Sequence, residues 1–191
     1  MSNLEMEYKK SQVVAESAYD FKRITKKNPY LVDVKITKKE EEFLYVYDTE
    51  QLVKLSELTI TSLQDKYRLL LNALNLYDLY MELHIDLNPD NIYIDYNYNI
   101  KIAYRDIYSR EDFVNSEKFN KEYLSLLGAV LQEKYNYTTY LESGVDLLGK
   151  NPLTKPYASL HSIEEIHTKL LENYQEEKRS AKFKSVQPIG N

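Results

Sequence analysis

The sequence predicts an α+β fold in a single globular domain, with β structure near the front and helices dominating the rest. Three observations carry this. Two runs of β-forming residues, "YLVDVKI" (30–36) and "FLYVYD" (43–48), flank the charged turn "TKKEEE" and read as a hairpin. Apolar residues recur at 3.6-residue spacing through most of 62–178. A second, smaller hairpin, "NIYID" (91–95) and "IKIAY" (100–104), joined by the Asn-rich "YNYN", sits between the helical stretches.

Each element follows in chain order. Residues 1–27 are charged and show a weak helical pattern in Val14, Ala18 and Phe21. Asn28-Pro29 marks a turn before the first hairpin. Residues 50–58, "EQLVKLSEL", suggest a short helix. Ser62, with Asp65 three residues on, caps a long helix running to about residue 82. Its apolar face is Leu63, Tyr67, Leu70, Leu71, Leu74, Tyr77 and Leu79, a stripe that marks a core helix. Helices are expected at 117–135, facing inward through Phe119, Tyr123, Leu127, Val130 and Leu131, and at 138–148, stopped by Gly149 and Pro152. Ser162 and Glu165 form a capping box for a last helix to about residue 178, with Ile163, Ile166, Leu170 and Tyr174 on its apolar side.

Composition removes several classes of function. Hydrophobic residues make up 43% of the chain, enough for a sizeable core. The net charge is −5 and no basic stripe with interleaved aromatics is present, which argues against nucleic acid as a partner. The absence of cysteine excludes a disulfide framework and a zinc–thiolate site. The opening "MSNLEMEYKK" has no apolar segment of a secretory signal, and no run approaches the ~18 apolar residues of a membrane span. The nineteen tyrosines, without any tryptophan, supply apolar area with a polar tip and suit the rim of a core. The chain ends "SAKFKSVQPIGN" and reads as the front part of a longer protein.

The chemistry-bearing stretch is "HIDLNPDNIYIDYNYNIKIAYRDIY" (84–108). Its first eight residues resemble the catalytic loop of protein kinases, in which an aspartate accepts the proton of the attacking hydroxyl and an asparagine holds magnesium. His84, Asp86 and Asn91 fall on those positions, and a hairpin follows as it does in a kinase. The metal-binding aspartate that should come next is replaced by Tyr104, a poor magnesium ligand. Arg105 and Asp106 stand beside it. Asp106 could substitute only if the backbone shifted by two residues. Residues 1–60 contain no glycine to cradle phosphates and no lysine in a "VAIK" setting. Phosphoryl transfer is nearly all positioning and electrostatics, so these losses remove most of its basis. We therefore read His84, Asp86, Asn91, Tyr104 and Asp106 as vestigial positions. His84 would bond backbone near the metal-site turn, Asp86 would accept loop N–H groups, and Asn91 would pin Asp86. The predicted fold is protein-kinase-like, a pseudokinase. It has a reduced lobe of helix plus β-hairpin over 1–60, a helical lobe with the degenerate loop over 61–178, and a basic tail over 179–191. No catalytic residue, cofactor or metal is expected. The alternative reading is a phosphotransferase, or an ATP-binding sensor, using Asp86, Asn91 and Asp106. His161 and His167 have no ligand partner at metal spacing.

Four segments, "NPYLVDVKI" with the strand after it, "LQDKYRLLLNALNL", "NIYID…IKIAYRDIYS" and "LESGVDLLGKNPL", resemble in order and spacing the cytoplasmic domain of the EssB/YukC family. That family is a membrane component of type VII secretion systems in Firmicutes. The resemblance covers most of the chain. It implies a pseudokinase fold and a cytoplasmic position in a single-pass protein whose membrane helix begins soon after residue 191. Lys178, Arg179, Lys182 and Lys184 would be its positive-inside residues. It also implies a scaffold that assembles with a membrane ATPase and a ubiquitin-like subunit and forms a homodimer.

Overall fold

A computed structural model describes residues 3–186, with side chains described to residue 182. The chain divides into two compact units, each built from two segments. One is Met1–Leu58 with Leu76–Phe119; the other is Thr59–Asn75 with Asn120–Asn191.

The first unit begins with a strand, β1 (Asn3–Lys9), where the sequence suggested only weak helical character. Leu4, Met6 and Tyr8 alternate with Glu5, Glu7 and Lys9, the period of a strand, and Leu4 and Tyr8 are half-buried while Met6 is exposed. The helix is shorter: α1 (Ala18–Thr25) opens at Ser17, whose hydroxyl accepts from Asp20 N, while the Asp20 carboxylate accepts from Ser17 N. The expected hairpin is β2 (Val34–Lys38) and β3 (Glu42–Asp48). β1 pairs along the free edge of β3, so the front sheet has three antiparallel strands in the order β1-β3-β2. Its inner face carries Val34, Phe43, Tyr45 and Tyr47, packed with Val13, Ala15, Ile24, Val32, Tyr93 and Ala103.

Residues 50–58 do not form the expected α-helix. They make β4 (Val53–Lys54) and a single 3-10 turn at Leu55–Glu57. Leu55 is buried, and Val53 pairs with Ile94. After α3 (Tyr77–Glu82) come β5 (His84–Ile85), the second hairpin of β6 (Ile92–Ile94) and β7 (Ile100–Ile102), and β8 (Arg105–Asp106). β4, β6 and β7 form one small sheet, and β5 pairs with β8 in another. The β6–β7 turn is closed by Asp95, whose Oδ1 accepts from Asn97 N and Asn99 N, while Tyr98 takes φ 60°.

The second unit holds α2 (Leu63–Ala73), capped as expected by the Ser62 hydroxyl on Asp65 N. The long helix predicted to residue 82 is interrupted by a 3-10 turn at Leu74–Leu76, between α2 and α3. Tyr67, Leu69, Leu70 and Ala73 of α2 are buried, and α2 packs with α7 (Ile163–Val186) through Ile166 and Leu170. Burial pushes the Tyr67 hydroxyl up to about 12. α4 (Ser116–Leu131) begins in the first unit and continues in the second. There Tyr123 donates its hydroxyl to Leu70 O. A Cβ on Gly128 would meet the Tyr140 ring at 2.6 Å, so only glycine permits this approach. The predicted helix at 138–148 is split into α5 (Tyr137–Ser143) and α6 (Val145–Leu148) by Gly144 at φ 63°. The Ser162 hydroxyl caps α7 through Glu165 N, and Glu165 reaches back to His161 N. α7 runs eight residues beyond the expected end at 178, so residues 179–186 of the predicted tail are helical. Residues 187–191 of that tail lie outside the described residues.

Candidate functional site

The loop 84–91 is set by alternation. Ile85 and Leu87 are buried and anchor it, which turns His84 and Asp86 outward. The Asp86 carboxylate accepts from Asn88 N at 2.9 Å, an Asx turn of the kind expected. The Asn88 side chain accepts from Asp90 N and opens a one-turn 3-10 helix with Pro89 at its first position. His84 does not bond backbone through its ring. The ring stacks on Tyr108 at 5.5 Å with an interplanar angle of 12°, because the pairing of His84 with Asp106 in the β5–β8 ladder brings the two aromatic residues to one side.

Asn91 is the most heavily committed of the loop residues. Its Nδ2 donates to Asp86 O and to Tyr104 O, both at 3.1 Å, and its Oδ1 accepts from Tyr104 N at 2.7 Å. It pins Asp86 by the backbone and clamps Tyr104 from both sides. Both polar atoms of the amide are thus used on protein backbone.

Tyr104 then joins a cluster of tyrosines under the front sheet. Its ring lies 5.1 Å from that of Tyr8, which meets Tyr45 edge-on at 4.7 Å and shares a hydroxyl contact with Tyr47 at 3.4 Å. Tyr45 and Tyr47 are fully buried. Burial raises the hydroxyl pKa of Tyr8, Tyr45, Tyr47 and Tyr104 above the ordinary value, and the nearby Asp106 charge raises Tyr45 and Tyr104 further. Tyrosines suit the rim of a core, yet Tyr45 and Tyr47 lie wholly inside it. The available signal was the alternation of Phe43, Tyr45 and Tyr47 along one strand face, answered by Tyr8 on its neighbour.

Arg105 and Asp106 are both buried, yet they bond to main chain rather than to each other. The Arg105 guanidinium donates to Ile24 O at 2.8 Å, Val32 O at 2.6 Å and Ala103 O at 2.9 Å. Burial draws its pKa down to about 10. Asp106 accepts from Val14 N at 2.7 Å, Ala15 N at 3.0 Å and Ile107 N at 2.7 Å, and the Tyr104 hydroxyl lies 3.5 Å from its Oδ2. The structure thus brings Asn91, Tyr104 and Asp106 together and leaves the side chains of His84 and Asp86 at the surface. Among the described residues, no group of three or more His, Asp or Glu is arranged to hold a metal ion.

This mixed α/β arrangement is similar to two solved cytoplasmic fragments of EssB. The fragment from Staphylococcus aureus matches with a TM-score of 0.73 at 19% identity, over 89% of this chain and 99% of its own. The fragment from Geobacillus thermodenitrificans matches with a TM-score of 0.80 at 13% identity, over 96% of this chain and 90% of its own. None of the curated proteins compared with the chain matches it. The family model described as "WXG100 protein secretion system (Wss), protein YukC" matches residues 8–187. The chain belongs to this YukC family and is a component of the type VII (Wss) secretion system. Among the described residues, no helix is long and apolar enough to cross a membrane.

Proposed function

We propose that this chain is a non-catalytic, kinase-like scaffold domain that docks other subunits of the secretion machine on the cytoplasmic side of the membrane. The observation that carries this reading is the use made of the metal-site positions. Asn91 spends its amide on Tyr104 backbone, Tyr104 replaces an aspartate with an aromatic ring, and Asp106 spends its carboxylate on Val14 and Ala15. A phosphotransferase needs these groups free to hold magnesium against phosphates. The chain order supports the kinase-like part of the reading: a strand and helix at the front, then a helix, the loop, a hairpin and the short β5–β8 pair. By the family resemblance, the partners are a membrane ATPase and a ubiquitin-like subunit. A membrane helix follows this segment, and the full-length protein is a homodimer.

The test is a thermal-unfolding titration with ATP and Mg²⁺ beside ATP with EDTA. A ligand at ~100 times its dissociation constant adds about 2.7 kcal/mol to the folded state, a shift of several degrees in a domain of this size. The expected result is no shift at millimolar ATP. A Mg²⁺-dependent shift would overturn the reading in favour of a nucleotide sensor or phosphotransferase acting through Asp86, whose carboxylate is exposed.

A further inference from the structure

A groove of about 530 Å³ runs in the first unit between α1 and the β2–β3 side of the sheet. Its volume lies in the range of pockets that take small ligands or large side chains, roughly 300–1,000 Å³. The lining is apolar in Ala18, Phe21, Ile36 and Phe43, and the Phe21 and Phe43 rings sit 4.8 Å apart. Glu16, Lys22 and Lys38 supply its charged groups, all three of them exposed.

The same unit presents a matching projection. Phe113 is 77% exposed, the most exposed large apolar side chain without a polar tip among the described residues. It follows a turn closed from both ends: Asp112 N donates to Ser109 O, and Ser109 N donates to the Asp112 carboxylate at 2.8 Å. The ring is therefore offered from a held turn, which lowers the ordering cost of docking it. The three residues before it are Arg110, Glu111 and Asp112. Their one positive and two negative charges answer the one negative and two positive charges of the groove, sign for sign.

We propose that the groove of one chain takes the Phe113 loop of a second copy. Phe113 would fill the Phe21–Ile36–Phe43 floor, with Glu111 and Asp112 toward Lys22 and Lys38 and Arg110 toward Glu16. A two-fold arrangement lets each copy give one loop and receive one. A contact built on one aromatic anchor and a charged rim is of the weak, transient class. The proposal rests on the homodimer in the proposed function and assigns it a surface.

Two measurements on the 191-residue chain test it. The first is sedimentation velocity across a concentration series reaching roughly 500 µM, a range that captures weak pairing. The second is fluorescence anisotropy of a labelled synthetic peptide of residues 108–116. The expected result is concentration-dependent association that Phe113→Ala and the double variant Lys22→Glu/Lys38→Glu each weaken by roughly tenfold or more. The peptide binds the wild-type and Phe113→Ala chains and is lost on the groove variant. All three substitutions are at exposed positions, and unchanged melting curves would show that the variants fold. Association that neither variant weakens overturns the surface and leaves the homodimer standing. A chain that stays monomeric and does not bind the peptide also overturns the surface, and the homodimer of the full-length protein must then be held elsewhere.

Discussion

The loop at 84–91 and the turn at 104–106 sit side by side and have opposite fates. The loop keeps the kinase-like spelling in His84, Asp86 and Asn91 at their spacing, yet its His84 and Asp86 side chains are exposed and lightly held. The turn has lost the spelling, yet Arg105 and Asp106 are among the most deeply buried polar groups in the described chain. Resemblance to a motif and contribution to the fold are therefore separate quantities here. In the turn, charged side chains hold main chain: Asp106 takes the N–H groups ahead of α1, and Arg105 takes carbonyls at its end and beyond. Buried polar groups of this kind are costly unless every bond is made, so evidence of their importance should appear first in stability.

The largest expected effect comes from alkaline pH, which acts on several buried groups at once. Tyr8, Tyr45, Tyr47 and Tyr104 have folded-state pKa values raised above the unfolded value near 10, mainly by burial. Above about pH 10 the unfolded chain releases these protons while the folded chain retains them, so stability falls with rising pH. Arg105 acts in the opposite direction. Its pKa is lowered to about 10, so between there and about 12.5 the folded chain releases a proton that the unfolded chain keeps. Burial raises Tyr67, Tyr93, Tyr123, Tyr140 and Tyr157 as well, so the tyrosines outnumber the one arginine and set the sign. Urea midpoints should be level up to about pH 10 and drop steeply beyond it. A level profile to pH 11 would mean that these tyrosines, the cluster among them, are open to water.

Arg105→Ala comes next. It leaves Ile24 O, Val32 O and Ala103 O without the donor that satisfies them and opens a space at a fully buried position. The expected loss is about 3–5 kcal/mol, read from chemical denaturation. A loss below about 1 kcal/mol would place the stabilising weight elsewhere and break the contrast between loop and turn.

Much of this was legible in the sequence, and the gaps have physical causes. The hairpin strands were readable because Val34–Lys38 and Glu42–Asp48 carry a clean two-residue period bounded by a charged turn. The Ser62 and Ser162 caps were readable because a hydroxyl three residues ahead of an acid is a local signal. β1 was not, since three of its seven residues are charged and its partner lies some 40 residues away in β3, a pairing no local window contains. The 3-10 turn at Leu74–Leu76 and the split at Gly144, which takes a positive φ, interrupt an apolar spacing that reads as continuous helix. At the site, the bonds of Asn91 to Asp86 and of Asp86 to its own loop followed from the motif, and the clamp of Asn91 on Tyr104 did not. The roles of Arg105 and Asp106 did not, because most of their partners are main-chain atoms of residues 14–32, and main-chain partners leave no trace in residue identity.

The loop itself separates the two smallest effects, and Asn91→Ala is the greater. It deletes one acceptor and two donor contacts around Tyr104 and Asp86 at a partly buried position, for an expected cost of about 1–2 kcal/mol. Asp86→Ala removes a single exposed bond to Asn88 N, for an expected cost within about 0.5 kcal/mol. The pair measures what the kinase-like spelling is for. If Asn91 matters to stability and Asp86 does not, the asparagine is held as a clamp on Tyr104, and the aspartate is free to vary without harm to the fold. If Asp86→Ala instead leaves stability untouched but weakens capture of a secretion-system subunit in a pull-down, the exposed carboxylate belongs to a docking surface. A loss of more than about 2 kcal/mol from Asp86→Ala would contradict both, since it would require the carboxylate to hold far more of the loop than one Asx turn.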